Sequence, residues 1–324
     1  MVRPIALAAC AALSLSALAA VAQGYPAKPI TLIVPYAPGG SVDPVARMVT
    51  PSLSTRLGQP IVIDNTVGAG GVIGTTKAAA AAPDGYTLLF SVESTMVIAK
   101  LVTPSTVKYD GVKDFVPVSL VGTSPLVLVG KPDLPAKNAA ELLALLKSQP
   151  GKLNFASSGI GTSLHLGGEL VNQAAHVNMV HVPYKVGAQI VTDLAGNQIE
   201  LAVLPLTSAR EPARAGRIRA YGVMAPKRWS TAPDIPSLAE VPEFKGVDVL
   251  VWFGLFAPAK TDATIVGRLA REMDAVLGEP ELVRRLGDLS LEPAHLTPPQ
   301  FAAFLQREQD KYSAIVKTAN IKAE

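Results

Sequence analysis

The chain has 324 residues, 49% of them hydrophobic, with 29 basic against 26 acidic side chains, a net charge of +3 and a single cysteine. That length commonly divides into two domains and buries large cores without disulfide staples. The near-neutral balance, with no basic run interleaved with aromatics, argues against a nucleic-acid partner.

Residues 1–22 read as an export signal. Arg3 supplies the positive region, Ile5 to Val21 the apolar run, and Ala20-Val-Ala22 the small-residue cleavage site before Gln23. Cleavage would remove Cys10, leaving no thiol nucleophile, disulfide or cysteine metal ligand. Leu7-Ala-Ala-Cys10 also resembles a lipoprotein box, but most of the apolar run follows Cys10. Beyond the signal no stretch is long enough to cross a bilayer. A soluble periplasmic chain is expected, needing no cofactor and no metal.

Strands and helices then alternate. Ile30–Val34 is a β-branched run suited to a strand buried on both faces. A helix follows from about Asp43, with Pro44 at its first turn and Val45, Val49, Leu53 and Leu57 forming one apolar stripe before Gly58. Strand Ile61–Ile63, the Gly68-Ala-Gly-Gly71 turn, an alanine-rich helix and strand Tyr86–Phe90 complete a first unit. The second half repeats the order. Leu153–Ala156, a helix at Ser163–Ala175, Met179–Val182, a helix from about Gln189 and Ile199–Leu204 form the second unit. Val116–Val121 with Leu126–Val129, and Ile218–Met224 with Val249–Phe256, read as strands carrying the chain between lobes. The tail is helical: Asp262 is placed to cap one helix, and Thr297-x-x-Gln300 is a capping box for the last. The last helix carries Phe301, Phe304, Leu305, Tyr312 and Ile315 as a stripe for packing onto the first lobe. Alternating elements imply an α/β fold of two lobes with mainly parallel sheets, whose ligands lie at the carboxyl ends of strands.

Two such ends share one design, a strand, a glycine turn and a helix start rich in small polar residues. The first is Tyr36-Ala37-Pro38-Gly39-Gly40-Ser41-Val42-Asp43 and the second Ser157-Ser158-Gly159-Ile160-Gly161-Thr162-Ser163-Leu164-His165. Unpaired N–H groups at a helix start, beside glycines that permit close approach, favour an anion such as a carboxylate. Hydroxyls add neutral donors that hold the anion without a buried cation. Asp43 reads as the helix N-cap, because a bare carboxylate would repel the anion. His165 reads either as a structural histidine or as a ligand contact. Tyr184 follows Pro183 at a strand end and is placed for an aromatic wall. Ser91 and Glu93 follow the third strand, and Glu93 is either solvated or turned into the cleft. Gly68–Gly71 is a third cradle or a plain helix start.

Nucleotide motifs fail on spacing, since Gly68-Ala-Gly70-Gly-Val-Ile-Gly74 overshoots the dinucleotide fingerprint by one residue and no P-loop occurs. A nucleophile elbow is absent. His176 and His181 straddle a helix–strand junction, a poor arrangement for a shared metal. A serine hydrolase built on Ser157 or Ser158 with His165 is the enzymatic alternative.

The ordered segments resemble the Bug-type solute receptors of tripartite tricarboxylate transporters. They are Tyr25-Pro-Ala-Lys-Pro-Ile30, Val34-Pro-Tyr-Ala-Pro-Gly-Gly40 with Asp43, Gly68-Ala-Gly-Gly71, Pro83-Asp-Gly-Tyr-Thr-Leu88 and Tyr109-Asp110 with Asp114-Phe115. Ala156-Ser-Ser-Gly-Ile-Gly161 with His165-Leu166, Val182-Pro-Tyr-Lys185, Pro233-Asp-Ile-Pro236 and Trp252-Phe-Gly254 continue the series. The resemblance implies a type II periplasmic binding protein, with lobe 1 at residues 23–122 and 252–324 and lobe 2 at residues 123–251. It implies a monomer that captures a small organic acid and delivers it to membrane transporter subunits. A module reporting occupancy to a membrane kinase shares every one of these features. The jaws would be Tyr36 to Ser41 and Ser157 to Ser163, with His165 and Tyr184 nearby. Departures from the family pattern fall at Thr66-Val67, Ala99-Lys100, Val186 and Leu204-Pro-Leu206. Valine at Gly40 or Gly161 should weaken binding in a chain that stays folded.

Overall fold

The computed structural model describes residues 24–184 and 187–321. The expected signal peptide and Cys10 lie outside them. Among the described residues no helix is long and apolar enough to cross a membrane.

One curled sheet organises the fold, in the order β2-β1-β3-β9-β4-β7-β5-β6. The strands are β1 (Ile30–Ile33), β2 (Ile61–Asp64), β3 (Thr87–Val92), β4 (Phe115–Gly130), β5 (Asn154–Ser157), β6 (Val180–Pro183), β7 (Leu201–Pro205), β8 (Arg219–Val223), β9 (Leu250–Pro258) and β10 (Glu292–Pro293). Each end of the sheet is a parallel trio. In one, β1 lies between β2 and β3; in the other, β5 lies between β6 and β7. The long strand β4 joins them. Its residues 115–125 run antiparallel to β9, its residues 126–130 antiparallel to β7 and its residues 127–130 antiparallel to β8. The expected pair of strands, Val116–Val121 and Leu126–Val129, is thus one continuous strand. A second passage crosses beside it, where Met224 donates to the Leu126 carbonyl at 2.7 Å and Val249 to the Met224 carbonyl at 3.0 Å.

The helices are α1 (Asp43–Leu57), α2 (Val72–Ala79), α3 (Ala99–Val102), α4 (Ala139–Ser148), α5 (Ser163–Ala175), α6 (Gly187–Ala195), α7 (Leu206–Arg214), α8 (Ala263–Leu277), α9 (Pro280–Asp288) and α10 (Pro298–Thr318). Val45, Val49, Leu53 and Leu57 of α1 are buried against β1, β3 and α8, the four-residue period putting them on one face. Gly58, left-handed at φ 72°, stops that helix by donating to the carbonyls of Ser54 and Thr55. Asp262 caps α8 through the Thr264 N–H at 2.7 Å. Thr297 donates its N–H to the Gln300 side chain at 2.9 Å, closing the start of α10. Phe301, Leu305, Tyr312 and Ile315 of α10 are buried with Trp252 and Phe256 of β9, in a core that continues to Leu126 and Phe155. The tail helix therefore serves the core of both ends of the sheet, beyond the first lobe alone.

Candidate functional site

A cavity of about 770 Å³ opens where strand ends and helix starts from both ends of the sheet converge. Its size is that of a small-molecule site. Tyr36, Gly39, Gly40 and Ser41 line one side, and Ser158, Thr162 and Ser163 the other. The floor and walls are Val42, Val45, Val92, Leu164, Val191, Leu204, Val251, Phe253, Leu289 and Leu291, with Glu93 and Ser94 at the end of β3. Pro44, Gly70, Pro205, Thr207 and Ser208 complete it.

The first turn is held from behind. Asp43 is the first residue of α1 and not its cap; Val42 stands at the cap position and makes no side-chain bond there. The Asp43 carboxylate, 2% exposed, instead accepts the Gly39 N–H at 3.0 Å and the Asn65 amide at 2.9 Å. It also accepts Arg47 Nε at 2.8 Å, and these donors hold its pKa down at about 2, Arg47 first. The sequence suggested an N-cap because Asp precedes an apolar period; the turn uses that carboxylate to pin its own backbone. Gly40 donates to the Ala37 carbonyl at 3.1 Å. Ala37 and Pro38 are exposed outside the cavity lining.

The second turn is also largely engaged with itself. Thr162 caps α5 by accepting the His165 N–H at 3.3 Å, and its hydroxyl donates to the Gly159 carbonyl at 2.8 Å. Gly161 donates to His165 Nδ1 at 3.1 Å. His165 stacks on His181, ring centroids 3.8 Å apart and 15° from parallel, with Phe155 beside them. Burial depresses both imidazoles to about 4, so both are neutral at pH 7. Ser157 is fully buried and its hydroxyl lies 2.6 Å from His181 Nε2, not from His165. Ser157, Gly159, Gly161 and His165 thus form the base of the turn, outside the cavity lining. Tyr184 also stands away from it, its hydroxyl donating to Asp193 at 2.8 Å. Ser91 is buried behind the wall, 2.5 Å from the Thr95 hydroxyl. The Tyr36 hydroxyl, buried near that pair and Gly71, has no hydrogen-bond partner in the structure.

Glu93 is the acid of the cavity. It is 2% exposed, turned inward, and burial pushes its pKa up to about 7. Its Oε1 accepts the Ser163 hydroxyl at 2.8 Å, and Oε2 the Trp252 N–H at 3.2 Å. Sequence reasoning left Glu93 open between solvent and cleft and overlooked Thr207 and Ser208. Those two begin α7, at a third strand end facing the cavity, but no glycine marks the turn. Among the described residues there is no cluster of three metal-ligating side chains.

A family model described as the tripartite tricarboxylate transporter family receptor matches residues 45–321. The protein BugT of Bordetella pertussis is 36% identical over 305 residues, covering 93% of this chain and 92% of its own. A solved structure described as a periplasmic transporter is 40% identical, covers 93% of this chain and 100% of its own, and superposes with a TM-score of 0.81. Rpa4515 of R. palustris, solved with adipate, is 31% identical with a TM-score of 0.82, over 92% of this chain and 99% of its own.

Proposed function

Since this chain belongs to the tripartite tricarboxylate transporter receptor family, we propose that it is an exported solute receptor that closes two lobes on an organic acid. The lobes are residues 23–122 with 252–324, and residues 123–251. The acid's carboxylate lies between the turn at Gly39–Val42 and the turn at Ser158–Ser163, and the loaded monomer presents it to the membrane transporter. The cavity walled by these two helix starts is the observation that carries the reading. Helix starts supply N–H donors and a positive dipole end, and each charge-assisted hydrogen bond to a carboxylate contributes about 1.5–3 kcal/mol. The adipate held by the R. palustris relative supports an acid as cargo. The complete burial of Ser157 beneath the turn, outside the cavity lining, supports a structural role for its hydroxyl over a nucleophilic one, with His181 as its hydrogen-bond partner.

Thermal melts of the exported chain against mono-, di- and tricarboxylates, aromatic acids and amino acids test this. A ligand at a hundred times its Kd stabilises by about 2.7 kcal/mol, a shift of several degrees. A hit confined to acids is the expected result. Silence from folded, ligand-free protein, or a hit on amines alone, would overturn it.

A further inference from the structure

The described lining of the cavity contains one acid and no base. Among the described residues lining it, Glu93 is the only carboxylate, and no lysine, arginine or histidine reaches the wall. The neutral donors are fewer than the turns suggest. Gly39 N–H is taken by Asp43, Gly40 N–H by Ala37, Gly161 N–H by His165 and the Ser163 hydroxyl by Glu93. Apart from the Tyr36 hydroxyl, which is buried beside Ser91 and Thr95, the hydroxyls left to a ligand on the wall are those of Ser41, Ser158 and Thr207. With the first N–H groups of α1 and α5 they suffice for one carboxylate. Away from the turns the surface is apolar, formed by Val92, Leu204, Val251, Phe253, Leu289 and Leu291.

A second carboxylate would have to lie against this apolar floor or beside Glu93. Burying an anion without a cation or a full set of donors is costly, and above pH 7, where Glu93 is ionised, its like charge adds to that cost. We infer that the site selects acids carrying one carboxylate on an apolar body, and that Glu93 excludes a second carboxylate from the cavity. The inference rests on the carboxylate-receptor reading and narrows it. An apolar body of six or more carbons gains from burial against the six floor residues, whereas a short polar acid leaves much of the cavity to water.

Calorimetric titration of the exported chain with matched acids at pH 8, where Glu93 is ionised, tests it. The probes are linear monoacids of three to eight carbons and benzoate, each beside the diacid of the same skeleton, such as hexanoate with adipate and benzoate with terephthalate. The expected result is that the best monoacid binds at least about tenfold more tightly than its diacid. Glu93→Gln should narrow that ratio by strengthening the diacid. Because Glu93 is buried, Leu289→Arg, at a half-buried lining position, serves as a second variant; placing a cation on the floor should reverse the preference. A wild-type protein that binds a diacid as tightly as its monoacid would overturn the selectivity and leave the carboxylate receptor standing. Failure of every acid to bind would overturn both.

Discussion

The Glu93 carboxylate accepts the Ser163 hydroxyl at 2.8 Å, joining the end of β3 to the first turn of α5 across 70 residues of chain. This bond ties the two ends of the sheet together at the cavity. Burial raises the Glu93 pKa from 4.5 to about 7, while Ser163 and Trp252 pull it down and Glu308 pushes it up. Glu308 is itself paired with Lys311 at 2.6 Å. A raised acid binds more protons folded than unfolded. Its contribution to stability is therefore full below pH 4.5 and is lost as pH rises through about 7. Ser163→Ala removes a donor that is most valuable to the ionised carboxylate. Melts should show it costing a few degrees at pH 8 and less at pH 5. An equal loss at both values would mean that Ser163 contributes packing alone.

The architecture was legible in the sequence because its signals are local. The four-residue stripe of α1, Gly58 at its end and the Thr297–Gln300 box each act within one element, and the structure has them all. Both glycine turns were visible for the same reason. What they do internally was not. Asp43 carries the sequence mark of a cap, but its partner Asn65 is 22 residues away and draws it behind the turn. Ser157 was paired in sequence with the nearby His165, whereas parallel pairing of β5 with β6 brings His181 to it. Glu93 depends on Ser163 and Trp252, contacts made only by the finished sheet.

Asp43 sets the shape of the first jaw, so its loss should act on binding as well as on stability. Asp43→Ala leaves the Gly39 N–H and the Asn65 amide without their acceptor. A cost of about 2 kcal/mol is expected in urea unfolding, together with at least tenfold weaker acid binding by calorimetry. Asp43→Asn keeps an acceptor and should fall between. If Asp43→Ala loses stability at unchanged affinity, Asp43 does not shape the jaw.

The two jaw glycines should respond differently to an added methyl. Gly161 adopts φ 74°, and a Cβ there would lie 2.5 Å from Val102 Cγ1. Gly161→Ala should cost about 1–2 kcal/mol from the left-handed backbone alone, and valine there should compromise the fold, contrary to the sequence expectation. Gly40 lies outside the left-handed region, and its Cβ would meet only the Ala37 carbonyl oxygen at 3.2 Å. Gly40→Ala should stay within about 1 kcal/mol of wild type while weakening the acid by crowding the cavity mouth. Parallel melts and titrations separate the two; similar stability losses at both positions would refute the distinction.

The stacked histidines give the protein an acid limit that Glu93 partly offsets. Both are depressed from 6.5 to about 4, by burial first and for His181 also by the His165 charge. A depressed base binds fewer protons folded than unfolded, so this contribution is full above pH 6.5 and is lost as pH falls through about 4. Between pH 4.5 and 6.5 Glu93 runs in the opposite sense, but one carboxyl offsets only about half the slope of two imidazoles, so wild-type stability should still fall toward acid. Glu93→Gln removes the compensation. Its melting temperature should fall from pH 7 to pH 5 about twice as steeply as that of the wild type. Protonating His165 would also remove the acceptor that Nδ1 offers to the Gly161 N–H, so acid affinity should hold to pH 5 and decline as pH falls through about 4. A Glu93→Gln melt that stays level from pH 7 to 5, with both imidazoles titrating near 6.5 by NMR, would show that the stack does not hold them neutral.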